Sequence, residues 1–205
     1  MSAPGEALPY DVEPHPVTGM PNGRLGVWLF LASEVMLFGA LFSSYLLLRA
    51  GAPQWPPEGG RPGDLLSVPL GTLNTVVLIT SSITMVLAWS AAVQRQLARA
   101  RLFLGATLSC ALVFLGVKAI EYSAKLQHGK RPSSDTFYAI YFTLTGLHGL
   151  HIVGGVVVIG YLLATAGRLG GPGARAFANR VENTGLYWHF VDLVWIFLFP
   201  ALYLL

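Results

Sequence analysis

Five runs of apolar residues, 25–48, 70–92, 102–120, 136–166 and 186–205, take up 117 of the 205 residues, and nothing constrains this chain more. Of its 23 charged side chains only Glu34, Lys118 and Asp192 fall inside these runs. At about 1.5 Å per residue each run reaches across a hydrocarbon core of about 30 Å. None shows the polar–apolar alternation of a membrane strand, so the spacing predicts an all-α membrane protein, a bundle of five transmembrane helices. The other 88 residues are scattered among short connections, none long enough to bury the core of a separate catalytic domain. Composition agrees: 54% of residues are hydrophobic and 11% charged, where soluble domains carry about a quarter charged.

Residues 1–24 read as an extended tail, with Pro9, Pro14 and Pro16 and no helical period, ahead of a five-helix domain over 25–205. No basic start followed by an apolar stretch marks a cleavable signal peptide. The net charge of +3 does not point to nucleic acid, because the cations lie singly or in small groups in connections, as membrane-flanking residues do. Cys110 is the single cysteine, which excludes an intrachain disulfide and a cysteine zinc cluster.

Lysines and arginines outside the runs number seven on the side of the N-terminus and five on the other. The excess predicts a cytoplasmic N-terminus and a C-terminus on the outer side. Trp28, Trp89, Tyr122, Tyr138 and Tyr203 lie near run ends, as interface anchors do. The fourth run carries Gly146, Gly149, Gly154, Gly155 and Gly160, which predict a tilted, central packing helix.

Ionisable groups within hydrocarbon mark candidate sites, since inserting one costs about 2.5–3.5 kcal/mol. Glu34 lies near mid-membrane, with Val27, Phe30, Phe38, Leu41 and Tyr45 on or near its face and no base in view. It reads either as a proton-handling acid or as a carboxylic acid that hydrogen-bonds a neighbouring helix. His189 and Asp192, three apart, share a face; they form either a polar latch or a ligand and its orienting acid. His148 and His151, also three apart, would with His189 give three imidazoles for a metal or haem, or else helix-joining hydrogen bonds between glycines. Lys118 and Glu121 suggest an ion pair at the outer interface, and Asn74, Thr80, Ser81 and Thr84 make the second helix suited to association. No continuous polar stripe, inverted repeat or unwound helix points to a conduction path or a transporter site.

The strings GVWLFLASEVMLFGALFSSY, LGTLNTVVLITSSIT, the pair Glu121-Tyr122, TGLHGLHIVGG and YWHFVDLVWIFLF, in this order from about Gly26 to Leu205, resemble subunit III of the haem-copper oxidases in its five-helix bacterial form. The resemblance implies a non-catalytic subunit of a proton-pumping oxidase in the bacterial plasma membrane, with no cofactor or metal of its own. Haem and copper would sit in partner subunits I and II, the electron donor would be cytochrome c or a quinol, and phospholipid would be held. It implies packing beside subunit I, support of proton uptake and protection against inactivation during turnover. Glu34 and Glu121 match the family's embedded acids, and His148, His151, His189 and Asp192 its interhelical polar contacts. Ser43 and Leu47 stand where longer relatives carry a tryptophan and a histidine, and the two helices that close a lipid cleft in those relatives are not in this sequence. The rivals are the same scaffold in a quinol oxidase or beside a nitric-oxide reductase, an independent carrier using Glu34 and Asp192, and a haem-binding membrane cytochrome.

Overall fold

A computed structural model describes residues 13–56, 62–167, 171 and 173–205. Within these residues the chain runs α1 (Asn22–Gly51), a single turn α2 (Pro62–Leu65), α3 (Val68–Val93), α4 (Leu97–Gln127), α5 (Thr136–Thr165) and α6 (Ala174–Phe199). A wider π-type turn over Pro200–Leu204 follows α6. Helices α1, α3, α4, α5, and α6 with its π turn, are long and apolar enough to cross a membrane, and no strand occurs among the described residues. Most of the sequence-predicted tail, residues 1–12, lies outside the described residues, as do Glu58, Arg61 and Arg168. Residues 15–20 form a closed turn instead of an extended segment, with Gly19 N–H donating to the His15 carbonyl, and α1 starts at Asn22.

Every apolar run folds as helix, but the helices outrun the hydropathy at their ends. The largest difference is α4, 31 residues long against a run of 19, because Glu121 and Lys125 continue it to Gln127 with their charges turned inward. At α6 the helix begins at Ala174, twelve residues before the apolar run, with about two turns carrying Arg175, Arg180 and Glu182. Pro200 ends its regular part: lacking an N–H and crowding the preceding turn, it forces the ladder to widen. Two α1 side chains cap the carbonyls left at that end. Tyr45 Oη donates to the Ala201 carbonyl at 2.6 Å and Arg49 donates to the Leu205 carbonyl.

Helix α6 is the central element. It packs on α3, α5 and α1, and 44% of its membrane window is buried, against 28% for α5. This corrects the expectation that the glycine-rich fourth helix occupies the centre. Of the five glycines in α5, only Gly155 lies where a side chain could not fit, because a Cβ there would run into the Trp188 ring; Gly149 and Gly160 face open space. Helices α3 and α4 form a tight hairpin through Gln94–Gln96, in which Arg95 takes a left-handed φ of 57°. Helix α5 starts on an Asp135 cap, whose carboxylate accepts from Phe137 N at 2.7 Å.

A polar seam joins α3 to α6. Trp188 and Trp195, seven residues apart on one face, donate their indole N–H groups to Ser81 and Thr75 at 2.9 and 3.0 Å. Ser82 meets His189 Nδ1 at 2.6 Å, and on the other side Thr84 meets Thr107 of α4 at 2.8 Å. The seam differs from the sequence reading in its members. Thr80 faces outward and bonds its own helix, Asn74 is buried with no hydrogen-bond partner, and Thr75 and Ser82 supply contacts instead.

Candidate functional site

Two constellations bring ionisable groups together in the interior between helices, besides the partly exposed Arg24–Glu182 pair that joins α1 to α6. The first lies at mid-membrane. Glu34 is the thirteenth residue of α1 and His151 the sixteenth of α5, and their side chains meet with Nε2 at 2.9 Å from Oε2. The imidazole is fixed on two further sides. Nδ1 meets the Leu147 carbonyl at 2.8 Å and Phe38 packs edge-on with ring centroids 5.3 Å apart, while Tyr187 Oη donates to the His151 backbone carbonyl. Glu34 therefore has a base against it, which its own helical neighbours did not reveal. A hydrogen-bonded acid–imidazole pair can hold α1 to α5 and can share a proton without exposing a bare charge to lipid.

The second lies toward the C-terminal end of α4. Lys118 Nζ donates to Glu121 Oε2 at 2.9 Å and to Tyr203 Oη at 2.7 Å, and Tyr141 and Tyr203 donate to Glu121 Oε1 at 2.9 and 2.8 Å. Lys125 approaches the same carboxylate at 3.8 Å and donates to the Leu65 carbonyl. Lys118, Glu121 and Lys125 are 6%, 4% and 7% exposed, so this is a buried ion-pair network and not the snorkelling interfacial pair expected from sequence. The Trp195 and Tyr203 rings, 5.0 and 5.3 Å from Lys118 Nζ, add cation–π contact. Sequence reading missed Tyr141, Tyr203 and Lys125 here. Tyr203 and Tyr138, placed by position among the interface anchors, are 1% and 2% exposed, whereas Trp28 is half exposed. The signal that was available is the fourfold spacing Glu121–Lys125, which continues the helix through a charged stretch.

The three histidines do not converge. His151 pairs with Glu34, His189 with Ser82, and His148 is fully buried between Phe114 and Trp195, with ring centroids 5.5 and 5.3 Å away and neither nitrogen hydrogen-bonded. Among the described residues no group of three or more His, Cys, Asp or Glu side chains is placed to hold a metal ion. His189 and Asp192 make no bond to each other. The hydroxyls of Ser81 and Ser82 lie beside the Asp192 carboxyl, but Ser81 donates to the Leu78 carbonyl, Ser82 is engaged with His189, and both Asp192 oxygens are without a hydrogen-bond partner.

Known proteins share this arrangement of sequence. The family model described as cytochrome c oxidase subunit III matches residues 14–205. Cytochrome c oxidase subunit 3 of Synechocystis sp. is 38% identical over 205 residues, covering 98% of this chain and 81% of that protein. Its counterpart from Thermostichus vulcanus is 38% identical over 181 residues, 88% of this chain and 86% of that one. Cytochrome bo(3) ubiquinol oxidase subunit 3 of Pseudomonas aeruginosa is 32% identical over 188 residues, covering 90% and 85%. With a match over nearly the whole chain and five spans in the fold, the chain belongs to the cytochrome c oxidase subunit III family and is the third subunit of a haem-copper oxidase.

Proposed function

We propose that this chain is a non-catalytic subunit of a proton-pumping cytochrome c oxidase in a bacterial plasma membrane. It packs beside subunits I and II, which hold haem and copper, steadies them and supports proton uptake by the catalytic subunit. The observation that carries the reading is how the ionisable groups are used. Glu34, His151, Lys118, Glu121 and Lys125 are committed to one another and to tyrosines between helices, an arrangement suited to a rigid scaffold. The Glu34–His151 pair is the proton-linked group of the reading, because it is the one acid–base pair at mid-membrane among the described residues. Electrons reach the complex from cytochrome c, as the names of the Synechocystis and Thermostichus relatives have it.

The N-terminus is cytoplasmic in this reading. Its support is the excess of seven lysines and arginines over five outside the apolar runs. A reporter fused after Leu205 is expected to be active outside the cytoplasm; activity confined to the cytoplasm would reverse the orientation. A second reading, service to a quinol oxidase, is favoured by the Pseudomonas relative.

Membranes from a strain lacking this chain test function and donor together. Oxygen uptake driven by reduced cytochrome c should be lower, and the remaining activity should decay sooner during turnover. Uptake unchanged by the deletion would overturn the role, and a defect confined to quinol-driven uptake would transfer it to the second reading.

A further inference from the structure

Helices α3 and α6 leave a groove on their outer side in which two cavities meet at His189. One, of about 220 Å³, lies toward Trp89 and Glu182; the other, of about 340 Å³, runs past Ser82 and Asp192 to Thr75. From Trp89 to Thr75 the groove follows about 21 Å of α3, a large part of a hydrocarbon core. Its rim is apolar and exposed: Ile79 and Ile83 on α3, Leu193 and Ile196 on α6. Its floor carries one open polar group. His189 is half-buried with Nδ1 on Ser82 and no hydrogen bond at Nε2, while the Asp192 carboxyl lines the same cavity with both oxygens sealed from its surface and unpaired. Asp192 lies about 9 Å inside the apolar run that starts at residue 186.

Lipid tails are a poor cover for such a floor, since they can neither donate nor accept a hydrogen bond and an unmet polar group in hydrocarbon costs free energy. A lipid phosphate would have to leave the headgroup layer to reach this depth. The groove between α1 and α6 shows the contrast: about 490 Å³, lined by residues such as Val35, Phe42, Phe190 and Phe197. Interhelical hydrogen bonds inside apolar packing are what membrane helices use to associate.

We infer that the α3–α6 groove is the docking face for a transmembrane helix of a partner oxidase subunit, which brings a hydrogen-bonding side chain to His189 Nε2. The inference rests on the subunit reading above, which supplies partners with membrane helices. His189 is the contact, and the sealed Asp192 carboxyl lies behind it. The apolar rim of Ile79, Ile83 and Ile196 packs on the incoming helix.

The test uses the intact complex, purified through a tag on this chain. A photoreactive phenylalanine replaces Ile79 or Ile196 and is irradiated in the membrane. Cross-links to another oxidase polypeptide are expected from both positions. Adducts to lipid or quinone alone, in preparations that retain the haem-bearing subunits, would overturn the inference while leaving the subunit reading intact. Loss of those subunits from unsubstituted preparations would instead overturn the subunit reading. In a second measurement, His189→Phe should speed loss of this chain from the detergent-solubilised complex about tenfold, the scale of one interhelical hydrogen bond, and His189→Gln should restore retention. Equal retention of both variants would count against the contact. A fall in melting temperature of the complex equal in both variants, without faster release, would also count against it, assigning His189 to internal packing.

Discussion

The residue with most depending on it is Glu121. Its carboxylate is the shared partner of Lys118, Lys125, Tyr141 and Tyr203, all contributed by α4, α5 and the π turn after α6. Glu121→Ala leaves two ammonium groups buried without a counter-charge, and breaking a buried pair in this way costs about 3–5 kcal/mol. The detergent melting curve of the complex should shift down accordingly; an unshifted curve would show that the network carries no stability. At Glu34 the outcome depends on what replaces it. Glu34→Gln keeps a hydrogen bond to His151 and should leave assembly intact, whereas Glu34→Lys sets a cation against the imidazole and should lower the yield of oxidase. Equal yields would contradict a packed Glu34–His151 pair. Glu34 could be singled out from sequence because charge is rare in a membrane helix, Glu121 by its spacing from Lys118, and the histidines by their own spacing. Their partners could not, because which face of α5 meets which face of α1 or α4 depends on helix packing that a single periodicity does not encode.

At the scale of the element, hydropathy located every span but not its ends. The run of residues 102–120 stops where charge begins, yet α4 continues for two more turns because that charge is paired inside the bundle. Proline explains the other departure, at the end of α6, where Pro200 opens a π turn that points Tyr203 at Lys118 and Glu121. Glycine content misled: five glycines in α5 suggest a central packing helix, and one of them accounts for the close approach. Gly155→Val would place two methyl groups against Trp188 and should cost about 1–3 kcal/mol through overpacking. Gly160→Val, facing open space, should cost far less. Thermal unfolding of the two variants side by side checks this, and equal losses would mean that α5 and α6 do not meet at Trp188.

For the whole molecule, the five spans and their order were legible from the apolar runs alone, and the five motifs in order carried the family. What remained hidden was the division of labour among helices: α6 at the centre, α1 joined through Glu34, Tyr45 and Arg49, and a polar seam between α3 and α6. These are products of three-dimensional contact between stretches more than a hundred residues apart in sequence. The central claim, that this chain works as a bound subunit of a haem-copper oxidase, is tested most directly by purifying it through a tag in mild detergent and recording the optical spectrum of what comes with it. Haem bands together with oxidase subunits I and II, in constant proportion to this chain, are the predicted result. A colourless preparation containing this chain alone, from membranes in which the oxidase is present and active, would contradict it.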